Sequence, residues 1–102
     1  MPSPRIEIPE ESIESFCRKW RIREFSLFGS VLTDDFRPDS DVDVLLVFEA
    51  DADWGLFEIV EMKDELQALF GREVDLVEKE AISNPFRRDH ILRTHQVVYA
   101  SR

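Results

Sequence analysis

The segment Asp41-Val42-Asp43-Val44-Leu45-Leu46-Val47-Phe48 decides how this chain is read. Beyond its opening it is an almost continuous apolar run, which predicts a β-strand covered on both faces. Side chains at i and i+2 of a strand leave on the same face, so Asp41 and Asp43 stand about 6.5 Å apart along it. Packing gives no reason for either. Two like charges on one face of an apolar strand repel each other and resist desolvation, so something cationic must offset them, and a divalent ion held between them would do so. Upstream, separated from Asp41 by ten residues, lies Phe28-Gly29-Ser30. Gly29 permits a tight turn with close backbone approach, and Ser30 offers a hydroxyl and a backbone N–H to a phosphate. A third carboxylate, Asp75, falls between Val74 and Leu76 in another strand-like segment. Three strand-borne aspartates predict a site for one or two Mg2+ ions, with nucleotide phosphates completing the coordination. The carboxylate nearest an attacking hydroxyl would take its proton.

Outward from this site the pattern changes period several times. Residues 1–8 read as a loose arm. Pro9, Glu10, Glu11 and Glu14 open a helix whose apolar residues Ile13, Phe16, Cys17 and Trp20 recur at i, i+3, i+4 and i+7, and Arg18, Lys19 and Arg21 close it. Arg23 to Phe28 reads as a short strand. Asp51 or Asp53 is the expected cap of a second helix carrying Ile59, Met62, Leu66 and Leu69, which Gly71 stops. A strand follows at Glu73–Val77, then a helix opened by Asn84-Pro85 and running to about Thr94, then a short strand from Gln96 to Ala100. Helices alternating with strands predict an α/β (α+β) fold, a small sheet flanked by helices, and the hairpin-like succession of the first two strands makes that sheet mixed.

The chain has 102 residues, 22 acidic against 13 basic, and a formal charge of −9, which fits one small domain spanning residues 1–102. A broad contact with nucleic acid or an anionic membrane needs a positive face and is not expected. No run approaches the roughly 18 apolar residues of a membrane span, and the beginning lacks an apolar signal core, so the expected compartment is the cytoplasm. The single cysteine, Cys17, forms no internal disulfide and lies on the apolar stripe of the first helix, as a core residue does.

Other chemistries fit poorly. Asp39, Asp41 and Asp43 occupy the first alternating positions of an EF-hand, but Val44 stands where its glycine belongs and Ala50 where its bidentate glutamate belongs. The three glycines, Gly29, Gly55 and Gly71, are too dispersed for a Walker loop or a dinucleotide fingerprint. His90 and His95 miss the i, i+4 spacing of a helical zinc pair. Asp34, Asp35 and Asp39 read as solvated loop charges, Ser40 as a brace of the same loop, and Arg87, Arg88 and Arg93 as a basic cluster on a helix surface, with contact to a partner or a nucleotide as its alternative.

Gly-Ser, ten residues, Asp-x-Asp and a third aspartate on a later strand resemble the nucleotidyltransferases of the DNA polymerase beta superfamily. Length and the segment Asn84-Pro85-Phe86-Arg87-Arg88-Asp89-His90-Ile91-Leu92 narrow the resemblance to the minimal nucleotidyltransferase (MNT) proteins, commonly encoded as antitoxins beside HEPN toxins. The resemblance spans about Ile13 to Tyr99. It implies the nucleotidyltransferase fold, with Gly29 and Ser30 holding the β- and γ-phosphates of ATP, Asp41 and Asp43 binding Mg2+, and Asp75 completing the metal site and helping to deprotonate the acceptor. It further implies transfer of AMP to a tyrosine hydroxyl of a HEPN ribonuclease, with release of pyrophosphate and neutralisation of the toxin in a hetero-oligomer. Many members carry a basic residue shortly after Gly-Ser; this chain has Val31-Leu32-Thr33-Asp34-Asp35, which leaves the phosphate-contacting cation open, Arg37 being a candidate by its place in the loop. A non-catalytic antitoxin acting by stoichiometric binding is the alternative reading.

Overall fold

A computed structural model of the protein describes residues 6–101. Its elements are α1 (Glu10–Lys19), β1 (Ile22–Phe28), β2 (Val42–Phe48), α2 (Leu56–Phe70), β3 (Val74–Glu78), α3 (Pro85–Thr94) and β4 (Gln96–Ala100), with short 3-10 turns at Gly29–Leu32 and Lys79–Ala81. The strands form one mixed sheet in the order β3-β2-β1-β4. β1 runs antiparallel to β2 and to β4, whereas β2 and β3 are parallel. A parallel pair needs a crossover, and α2 supplies it.

Alternation along the strands divides the sheet into unequal faces. On the thicker face Ile13, Phe16 and Cys17 from α1, Trp20 just after it, and Met62 and Leu66 from α2 pack against Phe25, Leu27, Val42, Val44 and Leu46. Burial pushes the Cys17 thiol up to about 12, which makes it a packing residue without thiolate character. Glu65 of α2 joins the two helices by accepting from Lys19 Nζ at 2.9 Å and Trp20 Nε1 at 2.8 Å. The thinner face holds a small cluster, Phe28, Leu45, Ile82 and Ile91, on which α3 rests. No helix among the described residues is long and apolar enough to cross a membrane.

Two local expectations change. The residue before α2 is Gly55, with no side-chain cap; Asp51 is drawn away by Arg21, whose guanidinium donates to it. The loose arm expected over residues 1–8 lies outside the described residues for 1–5, while Ile6 and Ile8 pack onto the main core. At the start of α3, Asn84 Oδ1 accepts from Phe86 N at 2.9 Å and Arg87 N at 3.1 Å, with Pro85 as the first helical residue. Asn84→Ala is therefore expected to cost about 1 kcal/mol. In a domain of this size that is a fall of roughly 4–8 °C in the thermal midpoint, measurable by calorimetry.

Candidate nucleotide and metal site

The site forms where β1 ends and β2 begins, on the thinner face of the sheet. β1 reaches Phe28, which lies opposite Asp43 in the antiparallel ladder, and the chain then turns sharply through Gly29. Gly29 has φ +78, and a Cβ built on it would lie 2.3 Å from Asp43 Oδ2. Glycine is required twice over, by backbone angle and by the carboxylate resting against it. Thr33 closes the turn, its hydroxyl donating to the Ser30 carbonyl at 2.9 Å.

Asp43 is paired in register with Asp75 of the neighbouring parallel strand. Asp41 lies just before β2, rather than as its first residue, where the next residue's N–H donates to the Glu73 carbonyl at 2.9 Å. Burial raises the Asp43 carboxyl above its ordinary value; repulsion from Asp75 and then Asp41 pushes the same way, and Arg87 opposes them. The structure thus brings Asp41 and Asp75 each within electrostatic reach of Asp43, which rests against Gly29. Asp43 is half-buried, while Asp41 and Asp75 are exposed, Asp75 on the edge strand of the sheet.

Among the described residues no group of three or more His, Cys, Asp or Glu side chains is arranged to hold a metal ion. The donors at hand are hard carboxylate oxygens that repel one another at Asp43, a chemistry that suits Mg2+, an ion that keeps water and substrate phosphates in its coordination shell. In the chemistry of their donor atoms, three carboxylates, these residues match that ion.

Beside the carboxylates a cleft of 580 Å³ opens between the Gly29–Leu32 turn and α3, lined by Gly29, Ser30, Thr33, Arg87, His90 and Ile91 among others. Its size is that of a small-molecule site. The connection from the turn to Asp41 is held from outside: Arg72 Nη1 donates to the carbonyls of Arg37 at 3.0 Å, Pro38 at 3.2 Å and Ser40 at 3.1 Å, and its guanidinium lies 4.4 Å from the centre of the Phe36 ring. Ser40 does brace this loop, accepting from Arg37 N at 2.9 Å. Arg37 is exposed and does not line the cleft, whereas Asp35 does.

Two residues of consequence escape sequence reasoning. Arg72 follows Gly71 in a helix-stop segment, and nothing local announces that it clamps a loop more than thirty residues earlier. Arg87 was visible as one of a basic cluster, but only the packing of α3 on the thinner face separates it from Arg88 and Arg93.

Comparison with known proteins gives the family and the fold. The family model described as nucleotidyltransferase domain matches residues 9–98. A Thermococcus cleftensis protein named protein adenylyltransferase MntA is 36% identical over 81 residues, covering 79% of this chain and 77% of that one. Among solved structures, a toxin-antitoxin crystal structure with AMP-PNP superposes with a TM-score of 0.72 at 18% identity, over 93% of this chain and 76% of the other. A tri-AMPylated Shewanella oneidensis HEPN toxin in complex with MNT antitoxin gives a TM-score of 0.64 at 18% identity, over 90% and 70%. At such identities the two structures establish the shared fold.

Proposed function

Because the chain belongs to the nucleotidyltransferase domain family, we propose that it is an antitoxin that transfers AMP from ATP to a tyrosine hydroxyl of a HEPN-type ribonuclease toxin in the cytoplasm. The observation that carries this reading is the set of Asp41, Asp43 and Asp75 against Gly29, supported by the similarity to a named protein adenylyltransferase. The formal charge of −9 supports a single nucleotide and a protein acceptor over a nucleic-acid substrate.

In this reading Gly29 and Ser30 hold the β- and γ-phosphates, and Asp41, Asp43 and Asp75 are the residues that would hold Mg2+. When bound, the ion supplies Lewis-acid stabilisation of the charge that develops on the phosphates. The acceptor oxygen forms a bond to the α-phosphorus, the bond from that phosphorus to the bridging oxygen breaks, and pyrophosphate leaves. The acceptor proton passes to a carboxylate. Asp75 is suited to that role, since it is exposed on the edge strand beside Asp43, where a partner protein can approach. Asp43, packed against the turn, is the fixed member of the set.

The test is to incubate the chain with ATP, magnesium and the HEPN-type toxin encoded beside it, and to read the toxin's intact mass and ribonuclease activity. Mass increments of AMP with loss of ribonuclease activity are expected, and neither should occur with Asp41→Ala plus Asp43→Ala. An unmodified toxin neutralised equally well by wild type and double variant would overturn transfer in favour of occlusion by binding.

A further inference from the structure

Building on the nucleotide site just described, we propose that Arg87 binds the polyphosphate of the nucleotide, supplying from α3 the cation that the segment after Ser30 lacks. That segment, Val31-Leu32-Thr33-Asp34-Asp35, contains no basic residue, and Val31 and Leu32 are buried. A triphosphate seated against Gly29 and Ser30 would meet three carboxylates and the cleft-lining Asp35 with no protein cation from its own loop. Among the described residues Arg87 is the one Lys or Arg that lines the cleft, which Gly29 and Ser30 also line.

The other arginines nearby are engaged elsewhere. Arg88 Nη1 donates to the Lys79 carbonyl at 2.9 Å, Arg93 pairs with Asp89 at 3.0 Å, and Arg72 is spent on the carbonyls of the 37–40 loop. The Arg87 guanidinium has no hydrogen bond or ion pair among the described residues, and its charge is felt at Asp43. Its main chain is fixed, because its N–H donates to Asn84 Oδ1 at 3.1 Å. A side chain anchored at its root and open at its tip can meet a ligand without first breaking an existing contact. The planar guanidinium matches two phosphate oxygens at once, which an ammonium does not. Phe28, Leu32 and Ile91 make the adjoining wall apolar, so the attraction acts in a lower dielectric than open water.

Calorimetric titration with AMP-PNP in the presence of magnesium, and separately with AMP, would test this on wild type, Arg87→Ala, Arg87→Lys and Arg93→Ala. Arg87→Ala should weaken AMP-PNP binding roughly 10- to 100-fold, the range of a charge-assisted contact, and should affect AMP much less. Arg87→Lys should recover part of the loss, and Arg93→Ala should match wild type. Added salt should narrow the gap between wild type and Arg87→Ala. AMP-PNP binding by Arg87→Ala within about twofold of wild type, or an equal loss in Arg93→Ala, would overturn the assignment of Arg87 while leaving the nucleotide site standing. Absence of AMP-PNP binding by wild type would overturn both.

Discussion

Asp43→Asn is expected to abolish AMP transfer while making the free protein more stable. The change keeps the shape of the side chain against Gly29 but removes the anionic donor held most rigidly in the site. The charge stabilisation lost in the transition state is several kcal/mol, or about three powers of ten in rate at roughly 1.4 kcal/mol per decade. Stability moves the other way. Burial, Asp75 and Asp41 together raise the Asp43 carboxyl above its ordinary value, so the folded state prefers that group protonated. Such a carboxyl contributes stability that is fully present below its unfolded value near 4 and is lost as pH rises through the folded value. At neutral pH wild type bears the cost of the buried charge and Asp43→Asn does not. Thermal melts from pH 8 down to pH 4 should show the variant ahead at the upper end and the gap closing toward the acid end. A variant that melts below wild type across the whole range would contradict the repulsion argument, and retention of more than a tenth of wild-type transfer would contradict the role of the carboxylate.

Gly29→Ala is expected to be nearly as damaging to activity, through geometry. The new methyl would sit 2.3 Å from Asp43 Oδ2 in a residue held at φ +78. The backbone angle alone costs about 1 kcal/mol for a side chain that rarely adopts it, and relief of the clash must move Asp43 or the turn. A displacement of about 1 Å at reacting groups is worth roughly a hundredfold in rate. A double-mutant cycle separates the two causes. With Asp43→Ala in place the methyl meets no carboxylate, so the stability cost of Gly29→Ala should shrink to the backbone part. Groups in direct contact show coupling of roughly 0.5–3 kcal/mol. Denaturant unfolding of the four proteins would measure it, and strict additivity would show that the contact between turn and carboxylate carries no energy.

Much of this site could be read from residue order because its chemistry is written against the grain of its secondary structure. Asp43 and Asp75 interrupt apolar strands, and the thicker face of the sheet obeys simple alternation and helical spacing, so strand, helix and carboxylate positions were all accessible from the pattern. The capping of α2 was misjudged because Asp51 had a competitor: Arg21, brought alongside by the β1–β2 pairing, takes its carboxylate, and Gly55 stands before the helix instead. Ile6 and Ile8, two isoleucines among prolines and a glutamate, have no periodicity that announces their packing, which depends on the main core they lie against. Arg72 and Arg87 needed three dimensions for the same reason, since a guanidinium reaches its partner across space and leaves no spacing rule behind.

The pairing of β4 with β1 has a kinetic consequence. β1 lies inside the sheet, yet one of its two neighbours is formed by Gln96–Ala100, near the far end of the described chain. Closing so long a loop costs entropy before its contacts repay it, and contacts of this kind slow folding. α3 directly precedes β4, so the helix that bears Arg87 is tethered to the strand that makes this long-range pairing. The acidic residues of the site come from positions 41–75, whereas the arginine-bearing wall belongs to the segment that the β1–β4 pairing ties to the sheet.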